Sequence, residues 1–298
     1  MGLTPEALQA KIESVEDLQA IVKTMKALAS VSIQQYRKAM ESLEDYSRTV
    51  EMGLQVMLQQ QRFSDRYGPD LLPKSTAAGR VGALVWGSDR GLCGQFDERI
   101  AAYTAERLKG LKIEPANISI AAIGARIETP MGHRGYPVAE TVAVPNSATE
   151  IMPAVQNLLF AIEEWRSQQQ IERILLFYNR PLTAASYRSY SLQLCPVDAS
   201  WLHRLQDREW PSQALPMFTI DARQLFSEFI REYFFVSLYR AFAASLASEN
   251  ASRLSAMQSA EKNIEERLAE LKARYHRQRQ SAITAELLDI VAGFEALT

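Results

Sequence analysis

The chain has 298 residues, 47% of them apolar (AVILMFWYC) and 23% charged, a balance that excludes disordered and fibrous classes. With 33 basic against 35 acidic residues the net charge is -2, which supplies no broad cationic field for nucleic acid or an anionic membrane. Two cysteines, Cys93 and Cys195, and three scattered histidines, His133, His203 and His276, make neither a disulfide framework nor a thiolate metal site, so the chain reads as cytosolic, with no metal and no cofactor.

Only 13 glycines and 12 prolines are present, which favours long uninterrupted helices over a loop-rich or all-β fold. From Leu8 to about Gln61 the apolar residues step by three or four: Leu8, Ile12, Val15, Leu18, Val22, Met25, Ala29, Ile33, Tyr36, Met40, Leu43, Tyr46, Val50, Leu54 and Met57. The spacing predicts a helix with one narrow buried stripe, started by Thr4 as N-cap and Pro5 at the first helical position. At ~1.5 Å per residue it is on the order of 75 Å long and needs a partner helix.

After the turn-rich stretch from Gly68-Pro69 to Gly79 the pattern changes. Short apolar runs at Val81–Trp86, Ile118–Ile123 and Ile171–Tyr178 alternate with helical patterns at Asp97–Leu111 and Thr149–Gln168, which predicts a βαβαβ unit with a largely parallel sheet. Tyr187–Val197 alternates and reads as an edge strand. Pro196, Pro211 and Pro216 mark the exit into a C-terminal helix from Asp221 onward.

That last helix repeats the stripe. Phe226, Phe229, Ile230, Tyr233 and Phe234 make a thick apolar face, and Ile264, Leu268, Leu271 and Tyr275 follow a heptad beat. The beat slips across His276-Arg277-Gln278-Arg279-Gln280 and resumes at Ile283, Leu287, Ile290, Phe294 and Leu297, which predicts a stutter and local unwinding. From Lys272 to Arg279 the acidic compensation stops, leaving a cationic collar that Lys23 and Lys26 join if the hairpin brings them close, a surface an acidic partner reads. The apolar stretch Tyr233–Ala247 is broken by Arg240 and is shorter than the ~20 residues needed to span a bilayer, so membrane association falls to partners. The N-terminus has no apolar leader region, and Glu6 stands where a myristoylation signal has Ser or Thr.

No chemistry stands out. The loop Gly87-Ser88-Asp89-Arg90-Gly91 fits neither the P-loop nor the dinucleotide spacing, and its glycines suit a tight strand-to-helix turn. Cys93 near a helix start is a candidate nucleophile, but it lacks a clear base, since nothing in the spacing requires His133 to approach it, and small buried cysteines are common. Asp97 and Glu98 suit the first turn of a helix.

The residues resemble the gamma subunit of F-type ATP synthases. The run Ser248-Glu249-Asn250-Ala251-Ser252-Arg253-Leu254-Ser255-Ala256-Met257, then Asn263, then Arg279 through Gly293, is similar to that family's C-terminal motif. Lys11-Ile12, Ser14-Val15 and Lys23-Thr24-Met25 are similar to its N-terminal helix, and Ser88-Asp89-Arg90-Gly91-Leu92-Cys93-Gly94 to its central motif. The resemblance implies an α/β fold in which the N- and C-terminal helices form a long antiparallel two-helix coiled coil beside a central Rossmann-like βαβαβ domain, with segments 1–67, 78–200 and 217–298. It implies a central-stalk rotor inside a ring of three alpha and three beta subunits, touching the epsilon subunit and the c-ring, and peripheral to the cytoplasmic face of a bacterial inner membrane. Catalysis belongs to the beta subunits, and this chain contributes no catalytic residue. By the same resemblance Arg279, Gln280 and Thr284 meet a loop of a beta subunit, and Lys23 stands near its acidic lever.

Asp97 stands where the family usually has Asn, His276 where Asn is usual, Phe294 where a small residue is usual, and Ser32–Tyr36 lacks the usual basic cluster. These departures suggest a divergent branch of the kind found in alternate, often sodium-linked, ATPases, and no inserted cysteine pair of the chloroplast type is present. A coiled-coil adaptor without rotary function and a small enzyme using Cys93 remain as rival readings of the residues.

Overall fold

A computed structural model describes residues 4–59, 79–183, 186–214 and 216–295, with side chains through 292. In chain order the elements are α1 (Pro5–Gln59), β1 (Arg80–Trp86), α2 (Phe96–Gly110), β2 (Ile118–Ile123), α3 (Glu128–Gly132), β3 (Glu140–Val142), α4 (Ile151–Gln168), β4 (Ile171–Pro181), β5 (Tyr187–Cys195), α5 (Ala199–Gln206) and α6 (Ala222–Glu295). The turn-rich stretch 68–78, the expected helical residues 60 and 61, and the side chains of Phe294 and Leu297 lie outside the described residues. Both long helices start on side-chain caps. Thr4 Oγ1 accepts from the Ala7 amide (3.3 Å), and Asp221 Oδ1 accepts from the amides of Arg223 (3.0 Å) and Gln224 (3.1 Å).

Contacts divide the chain into two compact units, one of residues 1–30 with 253–298, the other of residues 31–252. In the larger unit a five-stranded sheet has the order β3-β2-β1-β4-β5. β1, β2, β3 and β4 are parallel, and β5 is an antiparallel edge strand on β4. β1 is buried along almost its whole length because both of its faces are covered, which is why it reads as a continuous apolar run. One face packs Val81, Ala83, Val85 and Phe177 against α2 and α3. The other packs Leu84, Trp86, Leu176 and Tyr178 against α4 and the stretches of α1 and α6 that belong to this unit. Gly82 lets the Trp165 ring of α4 close on the sheet, since a Cβ there would lie 2.6 Å from that ring.

Three elements go beyond the βαβαβ expectation, the short helix α3 among them. β3 pairs with β2 over three residues only, too short for a periodic signal, and α5 follows β5 with Asp198 as its cap.

The smaller unit is an antiparallel pair of helices. Leu8 and Ile12 of α1 pack on Leu268 and Leu271 of α6, with Val15, Ile264 and Tyr275 beside them. Lys26 pairs with Glu261, and Lys272 with Glu16 at 2.7 Å.

The buried stripe of α1 departs from the predicted one. Leu18 is 51% exposed and Tyr46 44% exposed, while half-buried Gln19 and Lys26 and buried Ser47 lie on the seam. Those polar residues keep the four-three alternation that a coiled pair of helices requires, and the apolar neighbours one position away fall outside it. α6 departs as well. It stays α-helical across His276–Gln280, and among the described residues the paired apolar seam in which the stutter was expected reaches only Tyr275. Ile283, Leu287 and Ile290 are exposed.

Candidate functional site

The residues picked out from the sequence fall into two places. Arg279, Gln280 and Thr284 are exposed on α6, beyond the paired seam, and the Thr284 hydroxyl donates to the Gln280 carbonyl at 2.9 Å. Arg274 and Arg277 are exposed on the same stretch and, among the described residues, neither is in an ion pair. Lys23 is exposed on α1, one turn before Lys26.

The structure does not join Lys23 and Lys26 to the collar. Lys26 pairs with Glu261, and from Glu261 to Arg279 is eighteen residues, about 27 Å of helix. Lys272 is drawn out of the collar by Glu16. Two polar surfaces therefore stand where the sequence suggested one.

Exposed apolar residues go with them, and of these sequence reasoning missed Ile21 and Leu28 on α1. Leu18, Ile21 and Leu28 are 51%, 55% and 62% exposed on α1, and Ile283, Leu287, Leu288, Ile290 and Val291 are all about half exposed or more on α6. The signal was present in the spacing of Leu18, Ile21 and Leu28, which step by three and seven on a track of their own, but it lay beside the seam and was merged with it. Rows of this kind on a soluble surface mark contact with a partner.

The central motif is a structural clasp. Asp89 accepts from the amides of Ala125 (2.8 Å) and Val144 (2.7 Å), tying the end of β1 to the loops after β2 and β3. Arg90 donates to Asn146 Oδ1 at 2.8 Å, before α4. The Cys93 carbonyl accepts from the Ser252 hydroxyl of α6 at 2.6 Å. Gly124, at φ +104, lies so close to Ser88 that a Cβ would meet its backbone at 2.8 Å. These contacts tie together the loops that leave the carboxyl ends of β1, β2 and β3.

Cys93 is buried within this clasp. Its sulfur lies 3.5 Å from Ser88 Oγ and 3.7 Å from the Arg90 carbonyl and from Asp97 Oδ2. His133 is exposed at the end of α3. This is the environment of a packed thiol, in keeping with the structural reading of Cys93. Asp97 accepts from the Ser88 amide and hydroxyl, both at 2.8 Å, with Arg126 at 3.9 Å. Burial pushes the Asp97 carboxyl above its ordinary range, against the pull of the Ser88 bonds and Arg126.

The arrangement holds two long helices, a clasped α/β unit and rows of exposed apolar side chains. The family model described as ATP synthase matches residues 4–297. The ATP synthase gamma chain of Nostoc sp. is 28% identical over 98% of this chain and 99% of its own, and that of Syntrophus aciditrophicus is 27% identical over 97% of each. Among solved structures, the Euglena gracilis mitochondrial ATP synthase OSCP/F1/c-ring assembly contains a chain with TM-score 0.63 at 18% identity, covering 98% of this chain and 94% of that one. A chain of the Tetrahymena thermophila mitochondrial ATP synthase central stalk/c-ring aligns with TM-score 0.56 at 22% identity, over 80% and 99%. The chain belongs to the ATP synthase gamma family. A rotary central-stalk role goes with that membership.

Proposed function

We propose that this chain turns as the central rotor of an F-type ATP synthase, coupling ion flow through the membrane c-ring to ATP synthesis or hydrolysis on a ring of three alpha and three beta subunits. The observation that carries the proposal is the far stretch of α6. From His276 to residue 292 it is helical and exposed, bearing Arg277 and Arg279 together with a row of large apolar side chains that nothing in the described residues covers. Such a surface gains by entering a sleeve of apolar and acidic groups.

In this reading Arg279, Gln280 and Thr284 bond to a loop of a beta subunit, and Lys23 faces the acidic lever of a beta subunit at another level of the coil. Segments 1–67 and 217–298 form the shaft, and segment 78–200 sits against the epsilon subunit and the c-ring. A shaft whose sides differ in charge and apolarity favours a different conformation in each catalytic subunit as it turns, which is coupling through a rigid element. Catalysis stays with the beta subunits. None of the described helices is long and apolar enough to cross a membrane, so the proposed place, peripheral at the cytoplasmic face of a bacterial inner membrane, depends on the c-ring.

The test is the native mass of this chain co-expressed with the alpha and beta subunits encoded in its own genome. One copy per three alpha and three beta supports the rotor. No association, or several copies per ring, overturns it and leaves the adaptor reading.

A further inference from the structure

Within the larger unit, β4 and β5 meet α1, α5 and α6 around a cavity of about 540 Å³. Arg180, near the end of β4, lies over the Tyr190 ring with its guanidinium carbon 3.4 Å from the centroid. It donates from Nε (3.0 Å) and Nη2 (2.7 Å) to the Tyr178 hydroxyl. Arg240 of α6 lines the same cavity and donates from Nη2 to Ser47 Oγ at 3.1 Å. Both arginines are half-buried, and neither is in an ion pair among the described residues.

Two carboxylates also line the cavity, and Asp198 interacts with the charge of Arg204. Asp198 accepts from the Ser200 amide (2.9 Å) and hydroxyl (2.8 Å), and Glu51 faces Arg208 at 3.7 Å. Arg204 adds a third cation at the exposed rim, where it donates to Ser200 Oγ at 3.0 Å. The two inner guanidinium groups share one field. Burial raises the Tyr178 hydroxyl above its ordinary range, while Arg180 and Arg240 both pull it back.

Two half-buried cations on one cavity repel each other, and a bound oxyanion removes that cost while filling donor sites now turned on neutral hydroxyls. The planar fork of arginine suits phosphate, and its stacking on Tyr190 fixes its direction. The volume falls within the ~300–1,000 Å³ of small-molecule sites and leaves room for more than a phosphate group. Trp201 and Tyr233, with ring centroids 4.8 Å apart, supply an aromatic wall. We propose that this cavity binds an organic phosphate, with the phosphate between Arg180 and Arg240 and the body of the ligand against Trp201 and Tyr233. The rotor role does not require this site, so the two stand or fall separately.

Calorimetric titration of the full chain with ATP, pyrophosphate and inorganic phosphate tests it. ATP and pyrophosphate are expected to bind saturably at one site and inorganic phosphate more weakly. Arg240→Gln removes one cation, and Arg180→Lys keeps the charge but loses the fork and the stack; each is expected to weaken ATP by on the order of tenfold or more. Arg134→Gln, whose parent pairs with Glu98 elsewhere, is expected to bind as the parent chain does. Circular dichroism establishes that the variants fold, and Arg180→Lys, the milder change, carries the test if Arg240→Gln does not. Absence of saturable binding at millimolar ligand, or binding that survives both substitutions, overturns the site. Inorganic phosphate binding as tightly as ATP overturns the assignment to an organic ligand.

Discussion

Lys272 of α6 bonds to Glu16 of α1 at 2.7 Å, joining the two helices between the Leu8 and Ile12 contacts and the level of Lys26. Both side chains are about half exposed, so the pair fixes alignment more than it adds stability. A double-mutant cycle with Lys272→Ala and Glu16→Ala, read by urea unfolding, is expected to give a coupling of about 0–1 kcal/mol that shrinks with added salt. A salt-independent coupling well above that range would contradict this.

Ser252 supplies the bond from α6 to the Cys93 carbonyl, and both partners are buried. Ser252→Ala removes the shorter of that carbonyl's two hydrogen bonds, the Phe96 amide at 3.3 Å remaining, and is expected to cost about 0.5–1.5 kcal/mol in chemical unfolding. Ser252→Thr keeps the hydroxyl and tests whether the bond, rather than the size of the side chain, is responsible.

Gly124→Ala places a Cβ 2.8 Å from the Ser88 backbone at a residue with φ +104. Backbone cannot move aside as a flexible side chain can, so the expected loss exceeds the ~1 kcal/mol of an ordinary Gly position. The midpoint of thermal unfolding should fall, and an unchanged midpoint would show that the loop adapts freely.

Asp97 has a raised proton affinity in the folded chain, chiefly from burial. A raised folded value means that the folded state holds its proton more tightly than the unfolded state, so the contribution of Asp97 is greatest below the ordinary carboxylate value of 3.8 and declines as pH rises through the folded one. Asp97→Asn removes that dependence. Its stability relative to the parent is expected to rise as pH climbs from the ordinary carboxylate value through the raised folded one. Unfolding curves of both chains across that range decide it, and a difference that falls with pH would mean that the Arg126 and Ser88 interactions outweigh burial.

Replacing Arg279 and Gln280 together by Ala removes polar groups from an exposed helical stretch and should leave folding within about 0.5 kcal/mol of the parent. In the assembled complex the same pair is expected to lower coupled ATPase activity and torque. Unchanged activity would remove these residues from the coupling contact.

Strands were legible wherever burial on both faces produced a continuous apolar run: β1 and β2 are where the sequence predicted them. β3, at three residues, is held by its ladder to β2 and carries no pattern of its own. On α1 the choice between Leu18 and Gln19 could not be made from hydrophobicity, because the seam is set by the four-three alternation of a coil and takes polar residues to keep it. The collar divided for a related reason. Charge counting found the cations, but only the register of Lys26 on Glu261 and Lys272 on Glu16 showed at which level each stands.

The clasp around Ser88–Gly94 also has a mechanical meaning. α6 runs unbroken from Ala222 to Glu295, so a twist about its axis has no loop in which to dissipate. At Ser252 the same helix is fastened to the loop that leaves the central strand, with Arg90 and Asp89 fastening that loop to its neighbours. The motif adds a polar fastening to the apolar packing of α6 on the sheet, so that turning this stretch of the helix within the α/β unit would break both.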